Sequence, residues 1–401
     1  MGRAGNLRST RRRVVAVSLA VLTAITAPAC LEFQASATDI TDGPGLALFS
    51  ALLASAAANA NSVERTKFVY VTFRNDNNLR IFAFDNDTGG LTETGDSPVA
   101  AGPGTIGVCL HPDQTALYAT ERDNNSIAAF TVNRDTGALT PFGGSPYLSG
   151  ADPWDCEVDP TGGNLIVAKF GTTDLVRFPL DNTGEPGGAT SQMSGGNSPQ
   201  SIQFVNDGAY LLASHTSSTN VTSSSFNPTT GTLTAVGGSP FAADMFMRQI
   251  AVSPDENFVY VPSRGGSTLW QYSLSAGALT ALAPSNLALG GPGQAAVVSP
   301  DGLHLYVGQV TANNIGVYDR DVTTGLLTAS ALPPETLPAP QSLYFEPGGN
   351  YLFAASSTVT NSLSVYSRDA STGALTGISG SPFSFGDSAY QISFLTETVS
   401  Q

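Results

Sequence analysis

Asp135-Thr136-Gly137-Ala138-Leu139-Thr140 is the stretch that decides the fold, because versions of it recur along the whole chain. Six copies keep a Leu two residues after the Gly, and a seventh Gly fills the remaining place without that Leu. A period of 46 to 48 residues is typical of a repeat architecture in which each unit is one supersecondary element. The seven glycines are Gly89, Gly137, Gly184, Gly231, Gly277, Gly325 and Gly373.

The unit around Gly137 indicates four short strands. Apolar runs at 106–110, 116–120, 127–132 and 138–142 are separated by a Pro-Asp turn, an Asn pair and the Gly turn. Asp, Asn and Gly favour tight turns because their short side chains or missing Cβ stabilise those backbone conformations. Four strands every 47 residues or so predict an all-β fold, a seven-bladed β-propeller with four antiparallel strands per blade.

The two ends of the repeat region predict how the ring closes. The first unit starts at 68–72 with a second strand that has no first strand, and the chain ends at 390–394 with a first strand that has no second. We therefore expect the C-terminal strand to pair with the N-terminal one in a single blade, which removes the exposed sheet edges. The predicted propeller covers residues 67–397.

The first 29 residues have the layout of a bacterial secretory signal. Arg11, Arg12 and Arg13 precede a mostly apolar run at 14–25, and Ala27-Pro28-Ala29 offers small residues for cleavage. We expect an exported protein, located in the periplasm, on the outer surface or outside the cell. Lipidation of Cys30 and plain cleavage after Ala29 stay open as alternatives. Residues 30–66 are interpreted as a tether, whose Ala/Leu-rich part at 45–59 has the composition of one short helix.

Charge excludes one class of partner. Without the leader the chain has 12 Lys and Arg against 32 Asp and Glu, a net charge of −20. Such a surface repels phosphate backbones and anionic lipid heads, so we expect no nucleic-acid partner and membrane contact only through a lipid on Cys30.

The cysteines of the propeller lie on neighbouring repeats. Cys109 and Cys156 stand three and four residues before a Pro, and this offset of one residue places their side chains on opposite strand faces. An exported protein permits a disulfide. The sequence nevertheless favours two buried free thiols, since Cys packs well in apolar cores.

The repeat resembles the lactonase-like seven-bladed propellers, which include bacterial 6-phosphogluconolactonase, and it is similar to the YVTN-type repeat propellers of surface proteins. The resemblance covers residues 67 to 397 and specifies the fold better than the activity. It rests on Tyr70-Val71-Thr72, Ser97-Pro98, Ser145-Pro146-Tyr147, Ser239-Pro240-Phe241 and Ser381-Pro382-Phe383.

The same resemblance implies where a ligand site would lie. Lactonases of this type carry Pro-His and Pro-Arg-His at two first strands on one rim, and here the matching residues are Pro153-Trp154 and Met247-Arg248-Gln249. The second strands of the same blades end at Lys169 and Arg264. We predict that Trp154, Lys169, Arg248 and Arg264 form a basic, aromatic mouth for a small anionic or sugar-like ligand or for a protein. The alternative is that each Arg pairs with an Asp, such as Asp152 or Asp244, and only holds the loops.

The catalytic set implied by the family is incomplete in this sequence. Opening a lactone needs a base and a cation that stabilises the oxyanion. Arg248 or Arg264 offers the cation, while the His and Glu positions are replaced. His215, at the end of a second strand, is the remaining candidate base, although a solvated His is the simpler interpretation. Asp152, Asp155 and Asp244 also lie near this rim without an evident partner.

Motifs for metals and cofactors are missing from the sequence. It has no Cys/His spacing for zinc and no phosphate-binding Gly-Lys-Ser/Thr loop, so we predict no metal and no cofactor. Two functions therefore remain as hypotheses: an exported binding or scaffold propeller, and a divergent lactonase of carbohydrate metabolism.

Overall fold

The computed structural model describes residues 62–360 and 362–400, and it confirms the seven-bladed propeller. The predicted leader and most of the predicted tether, including Cys30, lie outside the described residues. No helix in the described part of the chain is long and apolar enough to cross a membrane.

The strands form seven antiparallel sheets, which we number as blades 1 to 7. Blade 1 contains β1 (Ser62–Phe73), β2 (Asn78–Phe84), β3 (Leu91–Glu93), β4 (Val99–Ala100) and β32 (Ala389–Ser400). Blade 2 contains β5 (Thr105–Leu110), β6 (Ala116–Glu121), the short 3-10 helix Arg122–Asn124, β7 (Ser126–Val132), β8 (Leu139–Pro141) and β9 (Tyr147–Leu148). Blade 3 contains β10 (Pro153–Val158), β11 (Asn164–Lys169), β12 (Asp174–Pro179) and β13 (Thr190–Met193).

The other four blades repeat this pattern. Blade 4 contains β14 (Pro199–Val205), β15 (Tyr210–His215), β16 (Asn220–Asn227), β17 (Thr232–Ala235) and β18 (Phe241–Ala242). Blade 5 contains β19 (Ala251–Val252), β20 (Phe258–Ser263), β21 (Thr268–Ser275) and β22 (Ala278–Ala288). Blade 6 contains β23 (Gly293–Val298), β24 (His304–Gln309), β25 (Asn314–Arg320), β26 (Leu327–Ala329) and β27 (Glu335–Thr336). Blade 7 contains β28 (Pro340–Phe345), β29 (Tyr351–Ser356), β30 (Leu363–Arg368) and β31 (Leu375–Gly377).

Blade 1 closes the ring as the sequence predicts. Its sheet has the order β3-β2-β1-β32, so the last strand of the chain takes the innermost place. In the register, Val71 lies opposite Ile392 and Val69 lies opposite Phe394. The other innermost strands, β5, β10, β14, β19, β23 and β28, are the first strands of their own blades.

The repeated glycine has a structural reason in the contact between blades. Gly137 adopts a left-handed φ of 75°, and a Cβ there would lie 2.7 Å from the ring of Phe68 in blade 1. Its carbonyl accepts a hydrogen bond of 2.9 Å from the hydroxyl of Tyr70 in the same blade. The Gly turn of one blade is therefore held by the Tyr of the preceding blade. The same bond joins Tyr118 to Gly184, Tyr260 to Gly325 and Tyr306 to Gly373.

The prediction of two free thiols is wrong, because Cys109 and Cys156 form a disulfide with a Cα–Cα distance of 5.8 Å. Adjacent blades pack face to face, so the face of β5 that points toward blade 3 contacts the face of β10 that points toward blade 2. Side chains on opposite strand faces of adjacent blades therefore point toward each other. The one-residue offset that the sequence shows is what brings the two sulfurs together.

Candidate functional site

A cavity of about 360 Å³ occupies the central channel, where the innermost strands of the blades meet. Each of these strands starts at one face of the ring, and each second strand ends at that same face, as the pairing of Pro153 with Lys169 illustrates. We call this face the mouth. The Pro-Asp turns and the Gly turns lie at the opposite face.

One residue per blade stands at the mouth end of the channel, directly after the first residue of the innermost strand or its equivalent. The alignment follows from the bulge that the pairing registers place here in most blades. We call this set the mouth ring: it combines three amides, two aromatic rings, one cation and one aliphatic side chain. Its members are Tyr390, Ile106, Trp154, Gln200, Arg248, Gln294 and Gln341.

The next residue of each innermost strand forms a second layer, in which side chains connect one blade with another. Gln391 of blade 1 accepts a hydrogen bond from the Val108 backbone N–H of blade 2 at 2.9 Å and donates one to Asp155 of blade 3 at 2.9 Å. Asp155 accepts the Ile202 N–H of blade 4 at 3.0 Å. We call these connecting side chains the channel belt: Gln391, Asp155, Ser201, Gln249 and Ser342.

The belt continues around the other half of the ring. Ser201 accepts the Ile250 N–H of blade 5 at 3.3 Å, and Ser342 of blade 7 donates to the Tyr390 carbonyl of blade 1. Between them, Gln249 of blade 5 bonds the backbone of Leu343 in blade 7. The belt residues thus hold the channel wall in a fixed shape.

Two carboxylates enter the cavity from blade 3. Burial raises the pKa of Asp155 to about 6, although Gln391 and the N–H groups of Ile202 and Cys156 favour its charged form. Burial also raises the pKa of Glu157 well above its usual value. The Glu157 carboxylate accepts hydrogen bonds from the Phe204 N–H at 2.7 Å and from the Gln203 amide at 2.8 Å.

Sequence reasoning noticed Asp155 as a carboxylate near the rim but missed Glu157. The signal was available, because an acidic residue within a predicted innermost strand has to face either the channel or the next blade. Among the described residues there is no group of three or more His, Cys, Asp and Glu side chains arranged to hold a metal ion.

The four predicted rim residues lie in two separate environments at the mouth, one around Trp154 and Lys169 and the other around Arg248 and Arg264. Trp154 lies under the guanidinium of Arg122, whose Cζ is 4.8 Å from the ring centroid, and beside Phe170 at 5.4 Å. Arg122 in turn forms an ion pair with Asp152. Lys169 is 7% exposed and pairs with Asp174 at 3.8 Å.

Arg248 and Arg264 form the other environment. The buried Arg248 guanidinium bonds the Gln200 side-chain oxygen, and its Nε has no hydrogen-bond partner in the part of the chain that the structure describes. Burial and the nearby charge of Arg264 together lower the pKa of Arg248 to about 10. Arg264 is exposed, and its backbone N–H bonds the Phe246 carbonyl at 3.1 Å.

The expected Asp partners of these arginines have other contacts. Asp152 pairs with Arg122, and Asp244 accepts a hydrogen bond from the Thr268 hydroxyl. Within residues 62–360 and 362–400, no ion pair includes Arg248 or Arg264. Asp152 and Asp244 therefore do not brace them in the way that the alternative interpretation required.

His215 is fully buried rather than solvated. The backbone of Gly196 lies against its imidazole, where an added Cβ would be 2.6 Å from the ring. Neither ring nitrogen has a partner at normal hydrogen-bond geometry among the described residues. Burial lowers the pKa of His215 to about 4, and the nearby Asn220 backbone opposes this shift only in part. A neutral imidazole enclosed in this way is separated from a ligand in the channel.

Fold and site together define a seven-bladed β-propeller with a ligand-sized cavity in its channel. A family model described as lactonase, 7-bladed beta-propeller, matches residues 108–195, 175–247, 238–336 and 290–386. The chain belongs to this lactonase family of seven-bladed propellers. A search of curated proteins found no match.

Solved structures with the same architecture include three relevant relatives. A 6-phosphogluconolactonase candidate from Bacteroides uniformis is 20% identical over 82% of this chain and 98% of its own, with a TM-score of 0.71. Another from Bacteroides fragilis is 21% identical over 82% and 97%, with a TM-score of 0.72. The periplasmic gluconolactonase of Pseudomonas aeruginosa is 18% identical over 82% and 98%, with a TM-score of 0.69. At such identities the likeness establishes the fold alone.

Proposed function

We propose that this protein is an exported binding propeller that takes up a small organic anion at its mouth through Arg248 and Arg264. The observation that carries the proposal is the charge of these two side chains, which no carboxylate within residues 62–360 and 362–400 compensates. Two neighbouring cations repel each other, and a buried guanidinium with a free N–H group is costly to keep. An anion between them would supply both the missing charge and the missing acceptor.

The mouth ring supports the same proposal with neutral groups. Gln200, Gln294 and Gln341 carry amides that donate and accept hydrogen bonds, and Trp154 and Tyr390 offer aromatic faces. A cavity that combines apolar rings with a few convergent polar groups is the usual form of a small-molecule site. The rest of the chain is strongly acidic, so Arg248 and Arg264 supply the local positive charge that an anion site needs.

The test compares ligand binding and stability in the full chain. Binding of two monocarboxylates, gluconate and 2-naphthoate, is measured by calorimetry on the native protein, on Arg264→Ala and on a matched control, Arg134→Ala. Arg134 is an exposed arginine near the Gly137 turn at the opposite face. We expect Arg264→Ala to abolish binding with a melting temperature within a degree or two of the native value, and Arg134→Ala to bind normally. A large loss of stability in Arg264→Ala with no native binding of either anion would sink the proposal.

Export is supported by the disulfide between Cys109 and Cys156, because structural disulfides persist in oxidising compartments. The leader at 1–29 supports it from the sequence side. Mass spectrometry of the protein isolated from its native cells provides the test. We expect a mature N-terminus at residue 30, and a diacylglyceryl adduct on Cys30 would identify a lipoprotein, whereas an intact Met1 would refute export.

Lactone hydrolysis is the second candidate function, and family membership together with the two channel carboxylates favours it. A hydrolase would need a base close to the cation that stabilises the oxyanion. Glu157 lies three residues deeper along its strand than the mouth ring, which is about 10 Å at the usual rise per residue. Both carboxylates are also already engaged in hydrogen bonds of the channel wall, Asp155 with Gln391 and Glu157 with Gln203, so we rank binding above hydrolysis. A screen of sugar lactones on the native protein and on Arg248→Ala decides: turnover that Arg248→Ala loses would reverse the ranking.

A further inference from the structure

The residue before each innermost strand occupies a special backbone position. In five blades this residue, or its structural equivalent, has a left-handed φ between 41° and 72°. Glycine adopts such a φ freely, and small or polar residues tolerate it better than bulky ones do. The five residues are Gly104, Asp152, Ser198, Phe246 and Ala339.

Phe246 is the exception in this set, since it is the one large apolar side chain. A left-handed backbone is unfavourable for a bulky residue, because its Cβ comes too close to the neighbouring carbonyl oxygen. Backbone hydrogen bonds nevertheless fix it: the Phe246 N–H bonds the Thr216 carbonyl at 3.0 Å, and its carbonyl accepts the Arg264 N–H at 3.1 Å. The link between blades 4 and 5 imposes the conformation, and glycine would satisfy it at lower cost.

Burial of the Phe246 side chain does not offset this unfavourable backbone conformation. Its ring is 44% exposed and lies over the backbone of Gly265, and the preceding side chain, Met245, is 45% exposed. Phe246 stands two residues before Arg248 and is hydrogen-bonded to Arg264 through the backbone. The backbone that carries this exposed aromatic ring thus adjoins the backbones of Arg248 and Arg264, which have no carboxylate partner among the described residues.

We propose that Phe246 is the specificity-determining wall of the anion site and that the anion is an aromatic carboxylate, whose flat body stacks on Phe246 while its carboxylate contacts Arg248 and Arg264. The inference rests on the proposed function, which it deepens by naming the ligand class. Offset stacking on an aromatic ring stabilises a flat apolar body, and Met245 adapts to its edge. A polyhydroxylated carboxylate would leave both apolar side chains in water.

The experiment uses the full chain, with 2-naphthoate and gluconate as probes. We expect the native protein to bind 2-naphthoate at least tenfold more tightly than gluconate. In Phe246→Gly this preference should disappear through loss of naphthoate affinity, while the affinity for gluconate stays within twofold. The melting temperature of Phe246→Gly should equal or exceed the native value, because glycine relieves the backbone strain.

Ala339→Gly is the matched control, since it makes the same backbone change at the equivalent position of blade 7. We expect its binding of both probes to be native. A drop in the melting temperature of Phe246→Gly with unchanged naphthoate affinity would overturn the inference, because it would show a purely structural ring. Binding of gluconate alone, dependent on Arg264, would also overturn it and leave the proposed function standing. Failure of both probes to bind would remove the proposed function itself.

Discussion

The side-chain amide of Gln249 pairs with the backbone of Leu343, accepting its N–H at 3.2 Å and donating to its carbonyl at 3.0 Å. The two residues belong to blades 5 and 7, so this pair of hydrogen bonds spans blade 6. At the equivalent position blade 6 has Ala295, whose methyl group has no hydrogen-bonding atom. The long side chain of Gln249 thus replaces a connection that blade 6 cannot make. Gln391 does the same across Gly107 of blade 2 when it reaches Asp155.

The Gln249 bridge leads to a prediction about stability. Gln249→Ala should lower the free energy of unfolding by about 1–3 kcal/mol, because the Leu343 N–H and C=O lose their partners in a confined channel. Gln249→Glu keeps the length but cannot donate to the Leu343 carbonyl when it is ionised, so it should also destabilise the protein at pH 7. Denaturant unfolding of the three proteins provides the measurement, and native stability in both variants would contradict the bridge.

The raised pKa of Asp155 predicts a specific pH dependence. Because its folded-state pKa of about 6 exceeds the ordinary value of 3.8, the native state binds this proton more tightly than the unfolded state does. Its contribution to stability is fully present below about pH 4 and is lost as the pH rises through 6, a change of roughly 3 kcal/mol at 1.4 kcal/mol per pKa unit. The difference between the native and Asp155→Asn stability curves should show this slope.

Asp181 provides the opposite case as a control. Hydrogen bonds from the Thr183 hydroxyl and N–H lower its pKa, and it is exposed in a turn. Its contribution is present above the unfolded-state pKa and is lost as the pH falls through the folded-state pKa. Asp181→Asn should therefore change the pH profile in the opposite sense to Asp155→Asn. Parallel changes in the two variants would contradict the assignment.

The disulfide between Cys109 and Cys156 should be a measurable source of stability. It closes a loop with a sequence separation of 47 residues, and removing such a cross-link typically costs about 2–4 kcal/mol. The double variant Cys109→Ala, Cys156→Ala should melt lower than the native protein. A reducing agent should lower the native melting temperature and leave that of the double variant unchanged. Alkylation of Cys109 and Cys156 in the denatured, non-reduced native chain, located by peptide mass spectrometry, would show that the bond is absent.

Ring closure predicts what truncation will do. Deleting the chain from Tyr390 onward removes the innermost strand of blade 1, which exposes the β1 edge and opens the ring. We expect cooperative loss of the fold, seen as loss of the native thermal transition. A shorter truncation after Thr396 retains the pairs from Val71–Ile392 to Thr66–Thr396 and should still give a folded protein. A stable fold without residues 390–401 would rule out this role of β32.

The sequence alone was enough to determine the number of blades and the way they close. Both depend on local chemistry: the left-handed turn at Gly137 and its equivalents needs glycine, and an unpaired strand at each end leaves one way to complete the ring. The mouth could also be located, because strand direction alternates along the chain. These features depend on residues that are close together in sequence.

Tertiary structure determined which side chains contact each other and which become buried. Cys109 and Cys156 meet because adjacent blades stack front to back, which a single-strand view of opposite faces does not show. His215 is buried because the loop through Gly196 covers it, and Gln249 finds Leu343, 94 residues away, because the ring brings blades 5 and 7 to one channel. The charges of Arg248 and Arg264 remain without an Asp in the described chain for the same reason. Asp244 is close to Arg248 in sequence but accepts a hydrogen bond from Thr268, and Asp152, at the mouth end of blade 3, pairs with Arg122. Contacts between blades depend on the curvature of the whole ring, and no local pattern of residues encodes that curvature.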